Sequence, residues 1–336
     1  MEFDLSHLDI LTTLDCDYAD QFKTTLKKIK NDIPDNFPTI PLHNDWGPDI
    51  SHVFVRWRQG EKAPTLPILL LNAAHHFDLD TKSDLFISTM AACILGEIPH
   101  QNPYHNNLHF LEVFYVAMHL CALHNDLSRE DNLSKDEVLL LLLAAAIHDF
   151  AHPGHGNMLN DTHIPSFVEK KSLTKIEPFL KALGLSDALF KQVQIMIICT
   201  DVSRDSNGKS PSMIARDIYL SHQHNNLKTV NVPDFFKPLL DDKKLPLMAV
   251  MLCEADIAMS SGLDYEFSKE MTRLVAQESS MLQPNAVTLL GFMESICHGG
   301  YLTHASNNLL GQNFQAILLQ AEQDAIESVS YAKPHP

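Results

Sequence analysis

Two short stretches of this 336-residue chain concentrate side chains that bind metal ions and move protons. The first, Tyr104-His105-Asn106-Asn107-Leu108-His109, sets two imidazoles four residues apart, which a helix would bring onto one face. The second, Ala144-Ala145-Ala146-Ile147-His148-Asp149, closes the most apolar run of the chain on an adjacent His–Asp pair. His152 follows one turn later, and Pro153-Gly154 is expected to stop the helix there. An aspartate fixed at the mouth of a buried helix is costly unless a cation or a full set of hydrogen bonds neutralises it. Taken singly, the first stretch reads as two surface histidines and the second as a histidine-capped helix end. Taken together, each joined to an apolar helix, they point to metal coordination.

The elements that must carry these side chains read as helices. From about Thr65 onward the apolar spacing predicts helices over Leu66–Phe77, Ser83–Leu95, Asn107–Leu123, Lys135–His148, Ser172–Leu183 and Ser186–Cys199. It continues with Ser212–Ser221, Leu245–Ser260, Tyr265–Ser279, Asn285–Cys297 and Ala305–Tyr331. Pro67 suits a first helical turn, and Ser134 with Glu137 three residues later is a capping-box signal. No stretch sustains apolar–polar alternation with β-branched enrichment, so essentially no sheet is expected. Residues 1–60 differ: they carry Pro34, Pro38, Pro41 and Pro48, weak periodicity, and Trp46 and Trp57 as anchors. They read as a short N-terminal lobe or flap, and 61–336 as one all-α helical domain.

Composition narrows the function classes. Hydrophobic residues make up 45% and charged residues 20%, enough apolar content for a sizeable core. The formal net charge of −17 repels polyanions and argues against nucleic-acid coating, while bound divalent cations would reverse the field locally for a small phosphate substrate. Six scattered cysteines without a CxxC pair fit buried free thiols in a reducing compartment. The acidic N-terminus is unlike a secretory signal, and Val138–Ile147 is about half of a ~20-residue membrane span. A cytoplasmic location without a membrane span is expected; export by a signal-less route would leave no trace. The last helix is expected to pack on the body, with homodimer pairing as the alternative.

The segments NPYHNNLHFLEV and HDFAHPGHGN resemble the YHNxxHAxDV and HDxxHPGxxN motifs of the class I 3′,5′-cyclic nucleotide phosphodiesterases, within the HD-domain metal phosphohydrolases. Four weaker elements keep the family's order. Ser166-Phe167-Val168-Glu169 is similar to SVLE, Ile198-Cys199-Thr200-Asp201-Val202 to ATDM, Cys253-Glu254-Ala255-Asp256-Ile257 to HCADL, and Gly291-Phe292-Met293 to GFI. The resemblance spans Asn102 to Met293. It implies a compact all-α bundle with a binuclear metal site. His109, His148, Asp149 and Asp256 would hold the first ion, zinc or else iron or manganese. Asp149 would also bridge to a second ion, magnesium or manganese, whose waters His152, Glu169, Thr200 and Asp201 would orient. Two such cations ~4 Å apart acidify a bridging water for in-line attack on phosphorus. His105 matches the proton donor to the leaving oxygen, and Tyr104, Asn157, Leu289 and Phe292 fall at substrate-side positions.

The departures lie on or near that substrate side. The purine-binding glutamine of the family falls on Leu289, which cannot offer paired amide hydrogen bonds. An asparagine falls near Met259, the histidine of HCADL is Cys253, and the gap from the HD motif to Glu169 is shortened. Phe292 could stack on a planar base, with Gln277 or Gln283 as replacement amides. Three readings result. The chain is a cyclic nucleotide phosphodiesterase; or an HD-type phosphohydrolase of another nucleotide or phosphorylated metabolite; or a metal-containing binding protein without turnover.

Overall fold

Ten consecutive apolar residues, Val138–Ile147, dictate how everything else is arranged. A helix apolar on every side must be surrounded on every side. In the computed structural model, which describes residues 5–32, 47–128, 131–160, 162–227, 232–279 and 284–331, this run lies in a helix from Lys135 to Ile147 and is fully buried. Pro34, Pro38, Pro41, Trp46 and Gln283 lie outside the described residues. The Ser134 hydroxyl accepts from the Glu137 N–H, and the Glu137 carboxylate accepts from the Ser134 N–H, closing the expected capping box at the solvent end.

In chain order the helices are α1 Ala19–Asp32, α2 Gly47–Arg58, α3 Leu66–Phe77, α4 Asp84–Gly96, α5 Asn107–Leu127 and α6 Lys135–Ile147. Then come α7 Phe167–Ala182, α8 Asp187–Ile198, α9 Pro211–Gln223, α10 Pro238–Asp241 and α11 Lys244–Ser261. The order ends with α12 Tyr265–Glu278, α13 Ala286–Ser295 and α14 His304–Tyr331. Helix α6 is enclosed by α3, α4, α5, α8 and α11. At Gly96 the backbones of α4 and α6 come close: a Cβ there would sit 2.6 Å from the Ala146 carbonyl oxygen. The chain is all-α, as its sequence predicts, apart, among the described residues, from one antiparallel pair of two-residue strands, β1 Met158–Leu159 with β2 Thr162–His163. Strands of two residues are too short to show as alternation. Helix α7 starts at Phe167, earlier than the predicted Ser172, and it accommodates Pro178 internally.

The described N-terminal residues contribute to the same core. A 3-10 turn, Leu5–Thr13, buries Leu8 and Leu11, and α1 buries Phe22, Leu26 and Ile29. Helix α2 packs on α5 and α14. From its last residue, Arg58, Nε donates to Glu112 Oε1 at 2.8 Å, and a second guanidinium nitrogen donates to Oε2. Glu112 is completely buried. Burial pushes its carboxyl up and Arg58 counters it.

A second carboxylate is held at a cost that depends on pH. The Leu66 N–H, a free donor at the start of α3, donates to Glu97 Oε1 at 2.7 Å. Burial outweighs that bond and raises the Glu97 carboxyl from 4.5 to about 7. The folded state therefore binds this proton more tightly than the unfolded chain, and stability from this group falls as pH rises from 4.5 through about 7. Glu97→Gln keeps the acceptor and removes the titration. It should be more stable than the parent by about 1–3 kcal/mol at pH 8. In thermal unfolding the gap should close near pH 4.5; a gap that does not change with pH would show that Glu97 is not the group responsible.

Candidate metal centre

Helices α5, α6 and α11 pack against one another, and their contact brings four side chains distant in sequence to one point. Asn106 fixes the first of them. Its Oδ1 accepts from the N–H groups of Leu108 at 3.0 Å and His109 at 3.2 Å, so α5 begins just after it. The expectation of a helical face shared by His105 and His109 is corrected accordingly. His105 precedes the helix and reaches the site from the loop, yet the two rings lie 5.4 Å apart, nearly perpendicular.

Helix α6 ends at Ile147, one residue short of the predicted His148 and before the Pro153-Gly154 stop. The Phe150 N–H closes a turn on the Ile147 carbonyl at 3.0 Å, and Ala151 takes φ +65°. A residue with a Cβ pays roughly 1–2 kcal/mol for that conformation. The turn leaves His148 and Asp149 facing α5 and α11 and returns His152 onto His105, the two rings stacking at 3.9 Å.

The ring nitrogens and carboxylates are arranged as edges of a small polyhedron. His109 Nε2 is 3.1 Å from Asp256 Oδ1 and 3.7 Å from Asp149 Oδ2. His148 Nε2 is 3.4 Å from Asp149 Oδ2 and 3.5 Å from Asp256 Oδ1. A tetrahedral ion with ligands at about 2.1 Å has edges of about 3.4 Å. These contacts lack hydrogen-bond geometry. Both nitrogens of His109 and Nε2 of His148 are buried without a hydrogen-bond partner, an expensive state that a cation on the two Nε2 lone pairs would relieve. His148 Nδ1 faces the Ala145 carbonyl at 3.0 Å, so the proton sits on Nδ1 and Nε2 is left as a donor to metal. The donor set fits a divalent ion.

The charges reinforce this fit. Burial works against a charged His148, but Asp149 and Asp256 pull its pKa well above the imidazole range. Both aspartates are held below the usual carboxylate range, with burial opposed by the two histidines and, for Asp149, by His105. A divalent ion among these carboxylates would take the place of the imidazole protons.

Beside this cluster lies a group that sequence reading missed. Glu278, the last residue of α12, places Oε1 2.6 Å from His105 Nδ1 and 3.2 Å from His152 Nδ1. Its Oε2 accepts from the N–H groups of Tyr104 and His105 at 2.9 and 3.1 Å. Burial opposes its charge, yet hydrogen bonds from His105 and His152 hold its carboxyl well below the usual range. His105 Nε2 is turned to Asp149 Oδ2 at 3.6 Å. Burial lowers the pKa of His105, with Asp149 and Glu278 pulling the other way. Tyr104 packs its ring 4.6 Å from His109, and its hydroxyl lies 3.3 Å from Ser260 Oγ.

No family model matches the chain. Among solved structures, that of LmjPDEB1 in complex with IBMX superposes with TM-score 0.61 at 12% identity, covering 90% of this chain and 97% of the other. The phosphodiesterase domain of the RhoPDE fusion protein from the choanoflagellate Salpingoeca rosetta gives TM-score 0.52 at 15% identity over 96% and 99% of the two chains. This chain has the fold of the phosphodiesterase catalytic domains.

Within that phosphodiesterase fold the outer residues form a second polar layer. Asp201 accepts from Asn157 Nδ2, the Ser166 N–H and Ser166 Oγ, each at 2.9 Å. Glu169 sits in the first turn of α7 with Oε2 buried and unpartnered. Burial first, then Asp201 and Asp149, push its carboxyl well above the usual range. Thr200 is buried, with Oγ1 donating to the Ile197 carbonyl at 2.8 Å. The departures on the substrate side are placed differently. Leu289 is buried in α13, on a cleft with Glu270 and Arg273, and Phe292 is half-buried against the core. Met259 is fully buried, and Cys253 Sγ donates to the Cys199 carbonyl at 3.0 Å. Gln277 is exposed and accepts from Arg273 at 3.3 Å.

Zinc or manganese at a hundred times its dissociation constant should stabilise the protein by about 2.7 kcal/mol, a rise of several degrees in Tm. Asp256→Asn and His148→Ala should lose most of that rise. Equal rises in the parent and both variants would place metal binding elsewhere.

Proposed function

We propose that this chain is a metal-dependent phosphohydrolase that opens a phosphodiester, a 3′,5′-cyclic nucleotide to its 5′-monophosphate. The supporting observation is the buried set of unpartnered imidazole nitrogens facing Asp149 and Asp256 at tetrahedral-edge distances, with the His105–Glu278 pair alongside. His109, His148, Asp149 and Asp256 would hold a first ion of the zinc type. Asp149 would share its carboxylate with a second, harder ion, magnesium or manganese, behind which His152, Glu169, Thr200 and Asp201 line the outer layer. When bound, such a pair supplies an acidified water and neutralises the phosphoryl oxygens.

The chain's own residues manage the proton and the position of the substrate. Glu278 accepts a hydrogen bond from His105 Nδ1 and so fixes the ring, directing Nε2 toward the cluster. From Nε2, His105 protonates the departing alkoxide, a poor leaving group near neutral pH. Before that transfer the Glu278 carboxylate stabilises the imidazolium, and afterwards the neutral ring keeps its Nδ1–H hydrogen bond to Glu278. Tyr104 walls the site on the His109 side, and Asn157 ties the loop after the HD motif to Asp201. We assign this chemistry to residues 61–336 and a supporting layer to 1–60, acting on a small nucleotide or phosphate ester.

One observation favours a second substrate class. The buried Leu289 at the purine-glutamine position offers no polar atom to a base. The LmjPDEB1 structure is a complex with IBMX. For this chain, a phosphohydrolase acting on another nucleotide or phosphorylated metabolite is the alternative. A panel of cyclic nucleotides, linear dinucleotides and phosphomonoesters, assayed with added manganese, separates the two. Hydrolysis of none of them by metal-loaded protein would favour a binding role. His105→Ala should lower turnover roughly 100- to 10,000-fold with metal content intact. Unchanged turnover would exclude His105 as the acid.

A further inference from the structure

The loop between α4 and α5, Glu97 to Asn106, does more than connect two helices. His100 Nδ1 lies 2.6 Å from the Ile98 carbonyl oxygen, and a carbonyl can only accept, so Nδ1 carries the hydrogen. That leaves Nε2 with a lone pair, and the Ala151 N–H donates to it at 3.3 Å. Ala151 is the left-handed residue of the turn between Asp149 and His152. The His100 ring also meets Phe110 and Phe150 edge-on, at 5.0 and 5.5 Å, and each of these follows directly on a ligand of the cluster, His109 or Asp149.

The loop is anchored independently of that bond. The His100 N–H donates to Asn107 Oδ1 at 2.8 Å, and Asn107 Nδ2 donates to the carbonyls of Gly96 at 2.7 Å and Ile98 at 2.8 Å. Asn107 opens α5, so the start of the helix that carries His109 also sets the position of the His100 ring. One imidazole therefore ties the two histidine-bearing segments together.

We infer that His100 is a positioning residue of this centre: its neutral ring, protonated on Nδ1, holds the Ala151 turn that aims Asp149 and His152. The inference rests on the reading of the four-residue cluster as a metal site. Outer groups of this kind typically alter metal affinity 10- to 100-fold.

The test compares zinc affinity, by chelator competition, in the parent, His100→Phe, His100→Gln, Ala151→Gly and the double variant His100→Phe with Ala151→Gly. Phenylalanine keeps the ring shape without nitrogen, and the glutamine oxygen can reach the place of Nε2. Glycine adopts a positive φ freely. His100→Phe should weaken zinc binding 10- to 100-fold, His100→Gln should stay within a few-fold of the parent, and Ala151→Gly should restore part of the loss. Equal zinc affinity in His100→Phe and the parent, or equal loss in the Phe and Gln variants, would overturn the inference. Unfolding of the metal-free proteins decides the turn separately from the metal. Ala151→Gly should raise Tm more in the His100→Phe background than in the parent, and equal shifts would dismiss the coupling. A parent that binds no zinc would instead sink the metal-centre reading, whatever the unfolding data show.

Discussion

Two carboxylates with little access to water face buried imidazole nitrogens that have no hydrogen-bond partner. That electrostatic arrangement is the constraint around which the rest of the chain is organised. Asp149 and Asp256 would be destabilising neighbours in an apolar interior, and the buried His109 and His148 nitrogens would be wasted donors, unless positive charge sits between them. Three helices must converge to make the arrangement, and each is fixed by a local device: Asn106 at the start of α5, the left-handed Ala151 after α6, and the thoroughly buried packing of α11.

Much of this was legible in the residues themselves because the decisive signals are local. An unbroken apolar run can only be an enclosed helix, and Ser134 with Glu137 marks its beginning. The His–Asp pair at its far end announces a polar requirement inside the core. What remained illegible depended on long-range contact or on backbone conformation. Glu278 lies 173 residues from its partner His105, and a lone glutamate near a helix end reads as a solvated charge. The left-handed Ala151 carries no compositional mark, since alanine there gives none of the warning that glycine would. Asn106 could have been recognised as a helix cap from its position before an apolar stretch. That would have shown at once that His105 lies off the helix.

The candidate metal cluster and the substrate-side positions of the resemblance differ in kind. Around the cluster, Asp201 alone draws in Asn157 and Ser166 to hold the outer layer in place. On the substrate side, Leu289, Met259 and Cys253 substitute apolar or weakly polar groups at positions where the resemblance places polar ones. Leu289 and Met259 are buried in the packing of their own helices. A site can keep its reaction chemistry while its choice of base or ester is redrawn by such replacements, because the two depend on separate sets of contacts.

The ion pair between Arg58 and Glu112 bears on how this chain can be divided. Glu112 lies one helical turn beyond His109, and Arg58 supplies its hydrogen bonds from a segment that the sequence alone assigns to a different lobe. Cutting the gene near codon 60 would therefore leave the buried Glu112 carboxyl without its cation and drive it toward the protonated form, a turn away from His109 of the candidate metal cluster. The helical body thus depends on the segment before it, and a fragment beginning after Arg58 would lack a partner that its interior requires.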